Sequence, residues 1–439
     1  MNLDYANQTT LHPLGVLAVV VLGLALLVVP RRHAVLPLIL MACFVAPGQR
    51  IVVASLDFDL LRVLVLFGYL RLLLRGEYRG LPLKPMDYAL IAWAASGTLA
   101  YTILYGSLGA LLNRLGVAFD AVGLYFLLRC WVRDWGDLRR VILAFAYVTV
   151  PVAAAFLYES ATRHNVFSIF GGVPAETMIR RGRLRCQGAF PHPIMAGCFF
   201  AALMPWFAAL WWNRSDRATA VLGLLCAGLI VVLTSSSTPL MMVALGLLGG
   251  GMYLLRDRLR LIRWSVVGLL VALHMVMKKP VWHLLARINV IGGSTGWHRY
   301  HLVDQAIRRF PEWALFGTRT TEHWGWGLID VTNQYVLEGV RGGVLTLALF
   351  VVTIALAFRG ISRRLRLLRQ PAHIALIWAL GVSLLLHCAA FVAVSYFGQI
   401  KLLWYLTLAV IAGAAPLRQQ AAAPWPQRSG SLAAGALAR

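Results

Sequence analysis

The sequence predicts an all-α polytopic membrane protein with about 12–13 transmembrane helices. Of the 439 residues, 60% are hydrophobic and 13% are charged, and the mean hydropathy is +0.73. Soluble globular domains carry roughly 45–50% apolar and about 25% charged residues. The chain also separates into about thirteen apolar segments of roughly 15–23 residues, close to the ~20 that a helix needs to cross a bilayer. This composition excludes a soluble globular fold, a disordered chain and a disulfide-stapled secreted fold.

The apolar segments follow one another along a single membrane domain over residues 1–417. In chain order they lie near residues 12–30, 34–48, 56–74, 88–105, 108–130, 141–158, 194–212, 218–235, 238–255, 264–278, 340–358, 374–395 and 402–417. No basic stretch precedes the first segment, and Arg31 and Arg32 follow it, so we expect a retained anchor and no cleaved signal peptide. Residues 418–439 are rich in Ala, Pro, Gln and Ser, a composition typical of a disordered tail.

The distribution of basic residues predicts the orientation in the membrane. The chain has 41 basic and 17 acidic residues, a net charge of +24. Basic residues cluster in alternate connections, including 31–32, 71–84, 129–140, 256–263 and 359–369. The positive-inside rule then places the N-terminus outside and the C-terminal tail in the cytoplasm. Because the basic residues alternate with spans instead of covering one face, the expected partner is the lipid bilayer and not nucleic acid.

Two long external loops, at about 159–193 and 279–339, depart from this distribution because both are rich in arginine. The first contains Arg163, Arg180, Arg181, Arg183 and Arg185, and the second contains Arg287, Arg299, Arg308, Arg309 and Arg319. One interpretation is contact with anionic lipid headgroups. Guanidinium groups also bind phosphate and pyrophosphate bidentately. The clustering therefore favours a site for a phosphorylated, membrane-borne substrate.

Helical periodicity singles out Arg299 within the second loop. The stretch 299–310 reads as a helix with an apolar stripe formed by Leu302, Val303, Ala306, Ile307 and Phe310. Arg299 falls in the middle of that stripe, whereas Arg308 points the opposite way. A charge on a buried face needs a partner or a ligand. Either Arg299 forms a structural ion pair, with Asp304 or Glu312, or it binds a substrate.

Several short motifs resemble the O-antigen ligase and polymerase superfamily. They are Arg185-Cys-Gln-Gly188-Ala-Phe190 at the entry to a span, Gly296-Trp-His-Arg299, Phe310-Pro311-Glu-Trp with Leu315-Phe-Gly317, and Asp330-Val-Thr332-Asn333-Gln-Tyr335 followed by Arg341-Gly-Gly343. The number of segments and the placement of the loops are also similar over nearly the whole chain. One position departs from the family pattern, because Thr332 stands where the family usually carries histidine. Threonine is a poor general base, so that role does not transfer to Thr332.

The resemblance implies a GT-C-like membrane glycosyltransferase that needs neither cofactor nor metal. Such a protein lies in the bacterial cytoplasmic (inner) membrane. It transfers an undecaprenyl-pyrophosphate-linked glycan to a hydroxyl of lipid A-core, a growing glycan or a protein. The sequence contains no HExxH motif and no P-loop.

Within this scheme, we expect Arg185 and Arg299 to bind the pyrophosphate. His323 or Asp330 would take the acceptor proton, unless His323 is only part of an interfacial aromatic belt. The further expected cavity residues are Asn333, Glu338 and His192.

A secondary transporter or lipid-linked oligosaccharide flippase is the competing class. The sequence has no convincing internal repeat, which disfavours it. Ionisable residues within spans are functional by default, but two groups have simpler interpretations. Arg114 lies near the outer end of its span and is expected to extend to the surface. Asp59 and Arg62 are expected to pair locally at i,i+3.

Overall fold

The computed structural model describes residues 9–53, 56–287 and 296–413, and within these it is almost entirely helical. The α-helices are α1 Pro13–Val28, α2 Leu36–Phe44, α3 Leu60–Arg75, α4 Pro85–Tyr105, α5 Leu108–Ala118, α6 Leu124–Trp131, α7 Trp135–Thr162, α8 Pro193–Ala209, α9 Arg217–Leu233, α10 Ser237–Gly251, α11 Leu259–Val276, α12 Leu284–Arg287, α13 Gly296–Arg308, α14 Phe310–Trp313, α15 Gln334–Leu365, α16 Pro371–Ala393 and α17 Ile400–Gly413. Short 3₁₀ turns lie at Arg31–His33, Val166–Phe170, Leu210–Trp212, Arg214–Asp216, Met252–Arg258, Val281–His283 and Glu322–Trp324. The predicted tail at 418–439 lies outside the described residues, as do residues 288–295 of the second loop.

Each predicted apolar segment contains a helix, so the chain is an all-α polytopic membrane protein at this level of description. Eight helical stretches among the described residues are long and apolar enough to cross a membrane: Pro85–Tyr105, Leu108–Trp131, Trp135–Thr162, Pro193–Trp212, Arg214–Leu233, Ser237–Arg258, Gln334–Leu365 and Pro371–Ala393. Two apolar helices, Pro13–Val28 and Ile400–Gly413, are shorter. The predicted span at 34–48 is wrong, because α2 has nine residues and reaches only about 14 Å.

Two β-hairpins interrupt the helices, and the sequence patterns did not predict them. β1 (Arg50–Val53) pairs antiparallel with β2 (Leu56–Asp59), which occupies the expected start of the third span. In the first long loop, β3 (Met178–Arg180) pairs antiparallel with β4 (Arg183–Arg185). Arg181 and Gly182 join these strands with φ of 53° and 73°. Two consecutive positive φ angles are the geometry of a type I′ hairpin turn.

Helix α8 lies at the centre of the bundle, where it packs against α9, α10 and α16. In the apolar 18-residue stretch within Pro193–Trp212, which includes α8, 72% of the residues are buried inside the protein. Gly197 permits close packing here, since a Cβ at this position would lie 2.4 Å from Cγ of Pro239 in α10. This approach brings the start of α10 directly beside the first turns of α8.

The two long loops emerge from one end of the bundle, here called the loop end, and two breaks in helical geometry occur within the membrane helices. A π-helix at Phe119–Gly123 lies between α5 and α6. Helix α15 is broken at Gly343, whose φ of 74° and ψ of −179° are not helical. A Cβ at Gly343 would lie 2.1 Å from the carbonyl oxygen of Leu315, so only glycine fits this contact. Such irregularities cost hydrogen bonds and are common beside functional sites.

Candidate functional site

A buried carboxylate shapes the turn that follows Arg185. Glu159, at the end of α7, is 1% exposed. It accepts hydrogen bonds from the backbone N–H of Gln187 at 3.0 Å and of Gly188 at 2.9 Å. Gly188 has a φ of 56°, and a Cβ there would lie 2.4 Å from Phe156, so the turn requires glycine. The carboxylate and the glycine together fix the path of the chain from β4 into α8.

Arg185 and Arg299, which lie 114 positions apart in the sequence, contact two hydroxyl residues at the start of α10 that are two positions apart. Arg185 Nη2 donates to Ser236 Oγ at 2.9 Å, and Arg299 Nη2 donates to Thr238 Oγ1 at 3.1 Å. The side chain of Ser236 makes no capping hydrogen bond to the first turn of α10. The two guanidinium groups therefore lie at a helix N-terminus, which is itself a favourable place for an anion.

Both arginines are buried, at 5% and 7% exposure, and each has an Nε without a hydrogen-bond partner. Among the described residues, no carboxylate pairs with either of them. Burial, together with the charge of Arg180, lowers the pKa of Arg185 from its usual value. Burial likewise lowers the pKa of Arg299. Two uncompensated buried cations are costly without a counter-ion, which indicates an anion site.

The acidic partners that the sequence suggested for Arg299 are engaged elsewhere. Asp304 pairs with Arg308 at 2.8 Å, and Glu312 pairs with Arg309 at 2.8 Å. Arg299 lies on the buried face of α13, as its periodicity predicts. Ile307 and Phe310, which were expected on the same buried stripe, are exposed. The ion-pair alternative for Arg299 is therefore wrong within the described part of the chain.

His192 lies beside this site and is held in one tautomer. Its Nδ1 accepts from the backbone N–H of Ile194 at 3.1 Å and caps α8. Burial, with the charges of Arg185 and Arg180, lowers the pKa of His192 to about 4. The ring is therefore neutral at pH 7, with its proton on Nε2. In that state His192 is a hydrogen-bond donor towards an anion and not a general base.

His323 lies at the far end of α13 from Arg299. Its Nε2 is 2.8 Å from Glu312 Oε2, and the side chain is 47% exposed. Hydrogen bonds from His323, Trp324 and Arg309 lower the pKa of Glu312 to about 2. From Arg299 to the last residue of α13, the helix rises about 14 Å. This conformation does not bring His323 to the arginine pair.

Asp330 follows a segment that runs back from His323 towards the N-terminal part of α13, where Arg299 lies. The segment after His323 runs back along α13, since a Cβ at Gly325 would meet His301 and one at Gly327 would meet His298. Asp330 follows in a turn in which its N–H donates to the carbonyl of Gly327 at 3.4 Å. Its side chain is exposed. Of the two expected proton acceptors, the structure therefore places Asp330 towards the arginine pair.

Asn333 and Glu338 occupy different settings at the start of α15. Asn333 is 3% exposed and caps the helix by accepting from the N–H of Val336 at 3.1 Å. Glu338 accepts from Trp93 Nε1 at 2.9 Å and from Gln334 Nε2 at 2.7 Å. Glu338 also lines a separate cavity of about 120 Å³, whereas Asn333 and His192 do not.

That cavity, here called the α4–α15 cavity, holds several ionisable side chains from different helices. Those lining it are Arg114, Asp120, Glu338, Arg341 and Lys401, accompanied by Trp93, Tyr396, Trp404 and Tyr405. The surface-directed interpretation of Arg114 is wrong, because its guanidinium faces this cavity and stacks 4.0 Å from the ring centroid of Tyr101.

Arg62 and Asp59 interact locally, at i,i+3, as expected: Asp59 accepts from the backbone N–H of Arg62 and caps α3. The Arg62 guanidinium also binds Asp120, on the segment between α5 and α6, through two contacts of 2.5 and 2.8 Å.

The described residues contain no group of three or more His, Cys, Asp or Glu side chains that could hold a metal ion. In comparisons with known proteins, no family model matches this chain, and no curated protein matches it. A functional assignment therefore rests on the contacts that Arg185 and Arg299 make at the loop end.

Sequence reasoning missed three parts of the arginine site, namely Glu159, Ser236 and Thr238. Glu159 did leave a signal, because a carboxylate at the C-terminal end of an apolar helix opposes the helix dipole and needs donors. Ser236 and Thr238 left none, since hydroxyl residues between two spans are ordinary turn residues.

Proposed function

We propose that this protein transfers a glycan from a polyprenyl-pyrophosphate carrier, of the undecaprenyl type, to an acceptor hydroxyl at the loop end of the bundle. The observation that supports this best is the convergence of Arg185 and Arg299, buried and without an acidic partner, on the start of α10. A pyrophosphate carries two or more negative charges on a compact group, which matches two guanidinium groups beside a helix N-terminus. The motifs that resemble the O-antigen ligase and polymerase superfamily include both arginines.

In this proposal the acceptor oxygen attacks the anomeric carbon of the sugar next to the pyrophosphate. The bond between that carbon and the pyrophosphate oxygen breaks, and its electron pair leaves with the pyrophosphate. Arg185 and Arg299 stabilise the charge that develops on the departing oxygens. His192, neutral with its proton on Nε2, provides a further donor beside Arg185. Differential stabilisation of the leaving group by positioned donors lowers the barrier to transfer.

The proton of the acceptor hydroxyl goes to Asp330 in this scheme. Its exposed carboxylate lies on the segment that returns towards Arg299. The alternative base is His323, which Glu312 orients as a carboxylate orients a catalytic imidazole. Use of His323 would require the segment after α14 to move along α13 by the distance from Arg299 to the end of that helix, about 14 Å.

The direct test is binding of undecaprenyl pyrophosphate to the purified full-length protein in detergent micelles. Loss of one charge-assisted contact should weaken binding about 10–100-fold in each of Arg185→Ala and Arg299→Ala. Arg183→Ala is the matched control, because Arg183 is exposed on the same hairpin strand as Arg185. Variants that fold and bind like the wild type would refute the assignment of the site.

Transfer activity needs a separate assay, with an undecaprenyl-pyrophosphate-linked glycan and a hydroxyl acceptor. The Asp330→Asn variant should retain binding of the carrier and lose transfer, since only the proton acceptor is removed. His323→Gln provides the comparison that separates the two candidate bases. Loss of transfer in His323→Gln with full activity in Asp330→Asn would exchange their roles.

A secondary transporter or flippase is the second candidate, and one observation favours it. Helix α15 is broken at Gly343, next to Glu338 and Arg341, and broken helices with charged residues are typical of carrier sites. Reconstituted liposomes distinguish the two functions. A transporter moves a lipid-linked oligosaccharide across the bilayer without forming a new glycosidic bond, whereas the proposed enzyme forms the bond without a requirement for translocation.

A further inference from the structure

The α4–α15 cavity is built from charged side chains that the proposed transfer reaction does not use. Its volume of about 120 Å³ is well above the ~10–15 Å³ that a single water needs. It lies within the helices, since Glu338 and Arg341 are 4 and 7 residues beyond the start of α15. At 1.5 Å per residue, these side chains begin about 6 and 10 Å below the loop end.

Two of the basic residues near the cavity are neutralised by carboxylates. Arg62 binds Asp120 through two contacts, and Lys401 Nζ lies 3.4 Å from Asp120 Oδ2. Asp59 adds a second carboxylate close to the same group, because its electrostatic neighbours include Asp120, Arg62 and Lys401. This cluster of two cations and two carboxylates contributes a net charge near zero to one wall of the cavity.

The remaining ionisable residues that line the cavity have an excess of positive charge. Arg114 and Arg341 both line the cavity, and neither forms an ion pair at contact distance with any described residue. Arg114 Nε has no hydrogen-bond partner. The carboxylate of Glu338 interacts electrostatically with both arginines, but its oxygens accept hydrogen bonds from Trp93 and Gln334 and not from the guanidinium groups. Two guanidinium groups and one carboxylate leave a net charge of +1.

Both breaks in helical geometry contribute directly to this cavity. Asp120 and its neighbour Phe119 belong to the π-helix between α5 and α6. On the other side, the break at Gly343 separates Arg341 from Thr346, and both line the cavity. Helix irregularities that lie in protein are tolerated at membrane depth where they line a polar cavity. In this protein both helix irregularities border a cluster of charged side chains, and such an arrangement is typical of a ligand site.

We propose that the α4–α15 cavity binds a singly charged anion that carries hydroxyl groups. Arg114 and Arg341 bind the anionic group, and Glu338 accepts hydrogen bonds from the hydroxyls. Binding of one negative charge to a net charge of +1 leaves the occupied site neutral, so no charge in it remains without a counter-charge. The aromatic side chains of Trp93, Trp404 and Tyr405 offer faces and edges for the carbon skeleton of the ligand.

Two sources can supply this chemistry: a carboxylated sugar of a glycan, or the phosphodiester headgroup of phosphatidylglycerol. The proposal goes beyond glycan transfer and does not depend on it, because the residues involved are not those that hold the pyrophosphate.

The test uses the purified full-length protein in detergent micelles and measures binding of glucuronate and, separately, of phosphatidylglycerol. Glucose and phosphatidylcholine serve as probes with the same scaffold and no net charge.

The wild type should bind glucuronate, phosphatidylglycerol or both, and neither of the uncharged probes. Replacement by glutamine, Arg114→Gln or Arg341→Gln, should weaken that binding about 10–100-fold. Arg319→Gln is the control, because Arg319 lies at the loop end, on the ring of Tyr105, outside the cavity. Binding of glucuronate alone identifies the sugar source, and binding of phosphatidylglycerol alone identifies the lipid.

Replacement of the Glu338 carboxylate tests the proposed net charge of the cavity in a second, independent way. The Glu338→Gln variant raises the net charge of the cavity from +1 to +2, so glucose 1-phosphate, which carries two charges, should now bind in preference to glucuronate. A wild type that folds but binds neither charged probe overturns the proposal. So does equal binding by the wild type, Arg114→Gln and Arg341→Gln, or an unchanged preference in Glu338→Gln.

Discussion

The Glu159→Ala variant should unfold the turn that carries Arg185 before it affects any other part of the bundle. The carboxylate accepts from two buried backbone N–H groups, those of Gln187 and Gly188, and from the hydroxyl of Thr177 at 3.3 Å. A buried donor left without an acceptor costs about 1–3 kcal/mol. Two such donors give a loss of about 2–6 kcal/mol, a large part of the ~5–15 kcal/mol that stabilises a typical native protein.

The assay is thermal unfolding in detergent, combined with hydrogen exchange at residues 187–188. Glu159→Ala should lower the melting temperature and remove amide protection at those two residues. Glu159→Gln should be intermediate, because its single carbonyl oxygen retains an acceptor. Glu176→Ala is the control, since Glu176 is an exposed carboxylate in the same loop. A loss of stability in Glu159→Ala no greater than in this control, with unchanged protection at 187–188, would refute the reasoning.

Three further predictions concern the surroundings of the site and the packing of the bundle. His192 has a pKa of about 4, below its usual value of 6.5. The unfolded chain therefore binds a proton that the folded protein does not, so stability should be complete above pH 6.5 and decline as the pH falls towards 4. The His192→Asn variant should lose this dependence in pH-resolved melting curves. Gly188→Ala should fail to fold stably in the same assay, because its Cβ would lie 2.4 Å from Phe156 at a φ of 56°. Asp87→Ala should lower stability by about 3–5 kcal/mol in chemical denaturation, since it leaves Arg129 buried without its ion-pair partner.

Eight of the thirteen predicted segments coincide, among the described residues, with helices long and apolar enough to cross a membrane. They could be predicted from the sequence because a membrane imposes one dominant requirement, about 20 apolar residues in a helix. The hairpins could not be predicted in the same way. The strands of β1–β2 have four residues each, too few for an alternating pattern to stand out from the apolar residues around them. The prediction of a span at 34–48 was wrong because composition alone does not reveal where a helix ends, and α2 ends after nine residues.

The candidate site shows a similar division between local and long-range information. Burial of Arg299 followed from the periodicity of α13, which is a property of adjacent residues. The partner of a charged side chain depends on which helices are neighbours. Local spacing suggested Asp59 for Arg62, and Asp59 does lie beside it, but the packing of α3 against the segment around residue 120 supplies Asp120 as a further partner that local spacing does not reveal. Arg114 was misinterpreted for the same reason, because the cavity it faces is formed by helices far apart in the sequence.

The two proposed sites, the arginine pair at the loop end and the cavity below it, differ in net charge, and this difference predicts a different class of ligand for each. Among the described residues no carboxylate pairs with Arg185 or Arg299, because the nearby Glu159 accepts from backbone N–H groups, and Arg180 adds a third positive charge nearby. The α4–α15 cavity instead combines Arg114 and Arg341 with Glu338. A ligand whose charge does not match that of the site leaves an unpaired charge, and the free-energy cost of that charge disfavours its binding. A pyrophosphate should therefore be disfavoured in the cavity, where it would leave an excess of negative charge. A singly charged group should bind weakly to the arginine pair, where it would leave a buried cation uncompensated.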